Sequence, residues 1–254
     1  MRPLRLIARM DIKGSSLIKG IHLEGLRKIG DPVEIAENYY LQGIDEILFM
    51  DVVASLYGRN QLKELVQKTA ENVFVPITVG GGIRSVEDAK GMLRIGADKI
   101  AVNTAAVENP HLLNQISQEF GSQATVLSIE AKSDSNGNWN VLTNNGRDKT
   151  NRKVDEWIEE AEASGVGEIL LTSVDSEGTG KGFDLDLIKL VTNKSTVPIV
   201  ISGGMGLLEH LDFLGSEKDI SGVAVANVLH YRKMGISQIK EKLSTLGNIV
   251  RIYD

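Results

Sequence analysis

Eight short apolar runs, each followed by a Gly-rich or polar turn and then an amphipathic stretch, predict an α/β chain folded as a (β/α)8 TIM barrel. Internal repetition is the second observation. Four strand signatures return in the same order about 120 residues further on, which predicts two half-barrel repeats, about 1–122 and 123–254, inside a single domain spanning 1–254. Length is the third, since 254 residues suit eight strand-helix units. A doubly wound parallel sheet is the competing arrangement.

The first strand is read at Leu4–Met10. Asp31, Pro32 and Glu34 then combine an N-cap, a proline at the first helical position and a glutamate in the first turn, and Gly43 stops that helix. Strands follow at Glu46–Met50, Val75–Val79 and Lys99–Val102, and Asn109-Pro110 opens a helix in the manner of Asp31-Pro32. The second half places strands at Ala124–Ile129, Glu168–Leu171, Pro198–Ile201 and Gly222–Val225. Between the first two of these, within Ser133–Asn144, Asn136-Gly137 predicts a hairpin turn. The repeat is explicit. Glu46-Ile47-Leu48 returns as Glu168-Ile169-Leu170 and Gly80-Gly81-Gly82 as Ser202-Gly203-Gly204, both at an offset of about 122. Ile100-Ala101-Val102 returns as Val223-Ala224-Val225, and Asp11-Ile12-Lys13 as Glu130-Ala131-Lys132.

Composition excludes several function classes. Hydrophobic residues at 42% and charged residues at 24% are those of a soluble globular chain. The absence of Cys removes disulfide frameworks, thiolate zinc sites and any cysteine nucleophile. A net charge of −6, from 28 basic and 34 acidic residues, argues against general nucleic-acid binding but leaves room for a local cationic site. No apolar run approaches the roughly 18 residues of a membrane span. Met1 to Arg5 has no leader-like apolar region, so a cytoplasmic protein is expected. His22, His111, His210 and His230 lack ligand spacing, so neither a metal nor a cofactor is expected.

Active sites of such barrels lie at the C-terminal strand ends. The repeat therefore sets Asp11 against Glu130 across the mouth, where two carboxylates can have their proton affinities pushed apart and divide acid and base roles. The plainer reading pairs each with its following lysine, Lys13 or Lys132. Gly81 and Gly82, beside Asn103 and Thr104, and Gly203 and Gly204, beside Ala226 and Asn227, form two glycine turns able to admit an anion to backbone N–H groups. On opposite sides of the mouth they suit a long ligand phosphorylated at both ends; otherwise they serve tight turns alone. Lys19, Asp51 and the loop 175–182 reach the same face, the lysine to neutralise a phosphate and the loop to close over substrate. At the other strand ends, Arg5, Glu46, Lys99 and Glu168 ring the axis, as a salt-bridged plug or as a gate. Alternation along the first strand turns Arg5, Ile7, Arg9 and Asp11 to one face.

Over nearly its whole length the chain resembles the cyclase subunit family of imidazole glycerol phosphate synthase, of histidine biosynthesis. The likeness is carried by Met10-Asp11-Ile12-Lys13, Lys19-Gly20, Glu24-Gly25-Leu26-Arg27, Gly30-Asp31-Pro32, Thr78 to Arg84, Asn103 to Pro110, Phe120 to Gln123 and Glu168 to Ser173. The resemblance implies an ammonia-dependent lyase. It would convert a bis-phosphorylated ribulosyl-formimino carboxamide ribotide to imidazole glycerol phosphate and aminoimidazole carboxamide ribotide, with ammonia from a separate glutaminase subunit in a heterodimer. It implies catalytic roles for Asp11 and Glu130, and ligand contacts from Lys19, Asp51, Gly81, Gly82, Asn103, Thr104, Thr172, Glu177, Gly178, Gly203, Gly204, Ala226 and Asn227. It also implies an ammonia gate of Arg5, Glu46, Lys99 and Glu168. Because a glutaminase of the triad type needs a thiolate, a chain without Cys points to a partner polypeptide.

The sequence departs from the family pattern in the lumen and mouth. Glu130 replaces an Asp, Arg9 a small neutral residue, Ser176-Glu177 an Arg-Asp pair and Asn227 a small Ser. Arg9 is expected to pair with Asp11 or Glu130 and to crowd the ammonia path. These changes keep two alternatives open: a cyclase-like paralogue serving amidination of a surface-polysaccharide sugar, and a noncatalytic ammonia conduit.

Overall fold

The computed structural model describes residues 3–53, 60–217 and 219–251. The start of the chain, Met1 and Arg2, on which the leader reading partly rests, lies outside them. The strands are β1 (Arg5–Lys13), β2 (Ser16–Ile21), β3 (Glu24–Gly30), β4 (Glu46–Asp51), β5 (Ile77–Gly80), β6 (Lys99–Val102), β7 (Thr125–Ser133), β8 (Trp139–Thr143), β9 (Asp148–Lys153), β10 (Glu168–Ser173), β11 (Ile199–Ser202) and β12 (Ile220–Val225). Eight of these are parallel and closed, in the order β1-β4-β5-β6-β7-β10-β11-β12 and back to β1. This is the expected (β/α)8 barrel. In that ring β1 stands opposite β7, and β5 opposite β11.

Side-chain alternation separates two cores. Leu6, Ala8 and Met10 face the helices and join a large outer core with Phe49, Ile77 and the fully buried Trp157. The lumen is filled by Ile7, Leu48, Met50, Ala101, Val126, Leu170, Val200 and Ala224, so the axis is packed rather than open along its middle.

The helices begin where their capping residues dictate. Helix α1 (Pro32–Leu41) has Asp31 as N-cap, its carboxylate accepting from the Val33 and Glu34 amides at 2.8 and 3.1 Å, and Gly43 turns the chain away at φ +86°. After α2 (Asn60–Asn72), α3 (Val86–Arg94) is capped by Ser85, which accepts from Asp88 N. Asn109 does not open a helix as expected. It ends the short α4 (Thr104–Glu108), its N–H donating to the Ala105 carbonyl, so α5 (His111–Phe120) starts from Pro110 without a side-chain cap. The remaining helices are α6 (Val154–Ala163), α7 (Leu185–Lys194), α8 (Asn227–His230) and α9 (Ile236–Thr245).

Two antiparallel hairpins stand on the mouth. Strand β1 continues past Met10 because Asp11–Lys13 pair with β2, which pairs in turn with β3. Strand β7 likewise continues to Ser133 to pair with β8, and β8 with β9. The turn at Asn136-Gly137 is present, with Gly137 at φ +78°. Both hairpins follow the first strand of a half, at equivalent places in the repeat.

Candidate active site

Asp11 and Glu130 both end up buried in the mouth, on facing strands. Neither pairs with its following lysine, since Lys13 and Lys132 are exposed. Glu130 Oε2 accepts from Asn103 Nδ2 at 3.0 Å and from the Gly146 amide at 2.8 Å. Burial, only partly offset by the Arg9 charge and the Gly146 amide, pushes its carboxyl up to about 7. Asp11 moves the other way. Burial works against its charge, but Arg9 and Lys19 beside it hold its carboxyl below the ordinary range. The mouth therefore holds one firm carboxylate and one carboxyl that carries a proton near neutrality.

Arg9 is 1% exposed and crosses the lumen. Its Nε donates to Asp11 Oδ1 at 3.0 Å, while Nη1 reaches β10 and β11 to donate to Thr172 Oγ1 at 2.8 Å and Ser202 Oγ at 3.2 Å. Of the two pairings open in the sequence, Asp11 is the one formed. Behind β1, His230 Nε2 meets the Arg9 carbonyl at 3.0 Å and its Nδ1 meets Tyr39 Oη at 2.8 Å. Burial lowers that imidazole to about 4, so it is neutral at physiological pH.

The glycine turns are both in place. Gly81 and Gly203 have φ of +92° and +97°, and a Cβ at either would strike a backbone carbonyl, that of Asp51 at 2.2 Å and that of Ser173 at 2.9 Å. Only glycine fits there. The Gly81 turn opens on a cavity of about 350 Å³ lined by Asp51, Gly82, Asn103, Thr104 and Glu130 among others. The Asp51 carboxylate turns back to accept from the Val53 amide at 3.0 Å. The Gly203 turn, with Gly178, Gly204, Ala226 and Asn227, encloses only about 20 Å³. Lys19 is buried and ion-paired to Glu177, with Asp11 Oδ2 at 3.6 Å from its Nζ. Loop 175–182 is closed against the first hairpin, His22 N donating to the Glu177 carbonyl at 2.8 Å.

Several residues at the mouth have no part in the sequence reading. Asn144 and Asn145, in the turn between β8 and β9, line the cavity at the Gly81 turn, and both have positive φ. The run Asn144-Asn145-Gly146 is a turn signal that could have located them. A further cavity of about 630 Å³ outside the Gly203 turn is lined by Lys19, His22, Arg27, Asn227, Tyr231 and Lys233 among others. Among the described residues, no cluster of His, Asp or Glu is placed to hold a metal ion.

The floor is a closed ring of alternating charge. Arg5 pairs with Glu46 at 2.6 Å and with Glu168; Lys99 pairs with Glu46 at 3.0 Å and with Glu168 at 2.8 Å. Burial of Glu168 is outweighed by these two cations, which hold its carboxyl below the ordinary range. Thr78 Oγ1 donates to Glu46 at 2.6 Å. Beneath the ring a cavity of about 380 Å³, lined by Pro3, Gln123, Gly167, Pro198 and Ser221 together with ring residues, opens on the face away from the mouth.

Chemically, the mouth offers an ionised carboxylate and a proton-bearing carboxyl on opposite walls and a cavity of about 350 Å³, above a floor whose two cations and two carboxylates balance. Residues 5–235 match the family described as Histidine biosynthesis protein. The imidazole glycerol phosphate synthase subunit HisF of Legionella pneumophila is 60% identical over 212 residues, covering 84% of this chain and 100% of that protein. The proteins of the same name from Gluconacetobacter diazotrophicus and Streptococcus sanguinis are 44% identical over 251 residues and 42% over 248, with 97% and 98% of their lengths covered.

Proposed function

Since the chain belongs to the histidine biosynthesis family, among the cyclase subunits of imidazole glycerol phosphate synthase, we propose that it closes the imidazole ring of imidazole glycerol phosphate. The substrate is the bis-phosphorylated ribulosyl-formimino carboxamide ribotide, the second product is aminoimidazole carboxamide ribotide, and ammonia comes from a separate glutaminase subunit. The observation that carries this reading is the pair of facing carboxylates with opposed proton affinities. Asp11, ionised, takes a proton from the nitrogen as ammonia adds to the substrate carbonyl, whose oxygen then leaves as water. Glu130, protonated near neutrality, gives a proton to the leaving nitrogen as the carbon–nitrogen bond breaks, and takes part in ring closure. Supporting this role, Glu130 is buried and is oriented by Asn103 Nδ2 and the Gly146 amide, both on Oε2, which leaves Oε1 for the proton.

Gly81, Gly82, Asn103 and Thr104 seat one phosphate, and Gly203, Gly204, Ala226 and Asn227 the other, with Asp51, Thr172 and Gly178 bordering the substrate. Ammonia enters from the cavity below the Arg5, Glu46, Lys99 and Glu168 ring, where the glutaminase docks. No helix among the described residues is long and apolar enough to cross a membrane.

The test is direct. Purified chain, given the bis-phosphorylated substrate and excess ammonium salt from neutral to raised pH, releases the carboxamide ribotide, followed by chromatography; absence of turnover throughout that range rejects the reading. The Arg9–Asp11 pair, which occupies the proposed base, favours one second reading, the paralogue serving sugar amidination. That reading predicts no carboxamide ribotide at all, but ammonia transfer to a partner amidotransferase.

A further inference from the structure

The two glycine turns are equivalent in backbone shape but not in content. The Gly81 turn faces a roomy cavity, whereas the space at the Gly203 turn, about 20 Å³, holds roughly one water. What fills it is a side chain of the protein itself. Glu177 is 3% exposed and lines that space, and a Cβ built on Gly203 would lie 3.1 Å from Glu177 Oε2. Its other oxygen, Oε1, accepts from Lys19 Nζ. A carboxylate thus sits against the turn with a buried lysine as its counter-ion, the charge partner that a bound phosphate would also need.

We infer that Glu177 is a resident anion in the second phosphate seat, and that a ligand phosphate enters by displacing its carboxylate and taking over Lys19. The charges favour exchange over addition. Asp11 already lies 3.6 Å from Lys19 Nζ, so a phosphate seated beside an unmoved Glu177 would put a third negative group on one lysine. There is also somewhere for the ligand to come from. The cavity of about 630 Å³ alongside shares Asn227 with the seat and is lined by Lys19, Arg27 and Lys233, an antechamber rich in cations. Holding Glu177 in place are the His22 amide on its carbonyl at 2.8 Å and the close approach of Gly178 to the Gly20 carbonyl. Displacement therefore draws the loop 175–182 and the first hairpin apart. Residue 177 becomes a specificity determinant: it rejects ligands that bring no second phosphate to compete with it.

This inference rests on the Gly203 turn being a phosphate seat, as in the proposed function, and is read by binding rather than turnover. Isothermal titration of the whole chain with inorganic phosphate is expected to give one site per chain, in the Gly81 cavity. Glu177→Gln, nearly equal in volume, is expected to give two, the new one at least about tenfold tighter than any second site in the parent. Glu177→Asp, which keeps the charge but withdraws it by a methylene, should fall between them and guards against misfolding of the neutral variant. Glu64→Gln, exposed on α2 and outside every cavity described, should change nothing. Two equal sites in the parent, or one site in both Glu177 variants, overturns the inference. Crystals soaked in phosphate decide the geometry: phosphate at the Gly203 turn with Glu177 still on Lys19 overturns it as well. A chain that fails to make carboxamide ribotide yet shows this exchange would refute the reaction and leave the seat intact.

Discussion

Replacing Arg9 by Met removes the guanidinium that crosses the lumen while keeping most of its bulk. In the parent that group makes three hydrogen bonds, one of them the 3.0 Å pair with Asp11, at 1% exposure. Breaking a buried ion pair by deleting one partner costs about 3–5 kcal/mol, because the remaining charge is left uncompensated. Here Lys19 stays 3.6 Å from Asp11, and Thr172 and Ser202 are hydroxyls that can turn to other partners, so the lower end, about 3 kcal/mol, applies. For a chain of this length that is a fall in melting temperature of roughly 6–12 °C.

The cost must also depend on pH. In the parent, Asp11 is held below its unfolded value, so its pairing stabilises above about pH 4 and is lost as pH falls further. In Arg9→Met the desolvated carboxyl rises instead, and can relieve its burial by taking up a proton. The gap between the two proteins is therefore widest near pH 7 and narrows towards pH 4. Urea unfolding at pH 5 and pH 7.5 measures it, and the double variant with Asp11→Asn should recover part of the loss, since it removes both charges. A pH-independent change under 0.5 kcal/mol would show that Arg9 and Asp11 are not coupled as described.

Three further outcomes are expected. Asp11→Asn should lower ammonia-dependent turnover by at least about a hundredfold; retained activity with free ammonia would leave the chain as a conduit. Glu130→Gln should flatten the stability profile between about pH 4.5 and 7, because a carboxyl raised to about 7 in the folded state stabilises below its unfolded value and loses about 3 kcal/mol of that as pH rises. The same variant should lose the alkaline limb of the turnover profile, and an unchanged limb would assign it to another group. Lys99→Met leaves Glu46 and Glu168 sharing Arg5 alone, and should cost about 2–3 kcal/mol in urea unfolding, against little for Lys99→Arg. An equal loss in the two variants would mean that packing, not charge, matters there.

The barrel was legible because its strands are buried on both faces and so stand out as apolar runs, and because those runs repeat. The first hairpin was not. Its outer strand, Glu24–Gly30, has no buried residue and pairs along one edge only, so no alternation marks it. Strand β9, Asp148–Lys153, is wholly polar for the same reason, although the Asn136-Gly137 turn before β8 was visible. In the site, Asp11, Glu130 and the glycine turns could be placed because strand ends and repeat offsets fix them. Side-chain commitments could not. Lys19 read as the counter-charge of a ligand phosphate, whereas its partner Glu177 lies 158 residues away, and Tyr39 and His230 meet across 191 residues with no spacing to announce it.

The floor ring has a consequence for how this sequence can drift. Arg5, Glu46, Lys99 and Glu168 come from four different strands, yet each carboxylate serves both cations and each cation both carboxylates. A substitution that changes the charge at one position strands charge at two others, so its effect depends on what the other positions hold. Neutral wandering at any single one is closed off, and change must arrive as compensated pairs. The geometry makes the four positions one electrostatic unit, in which a tolerated change reverses or removes a cation and an anion together.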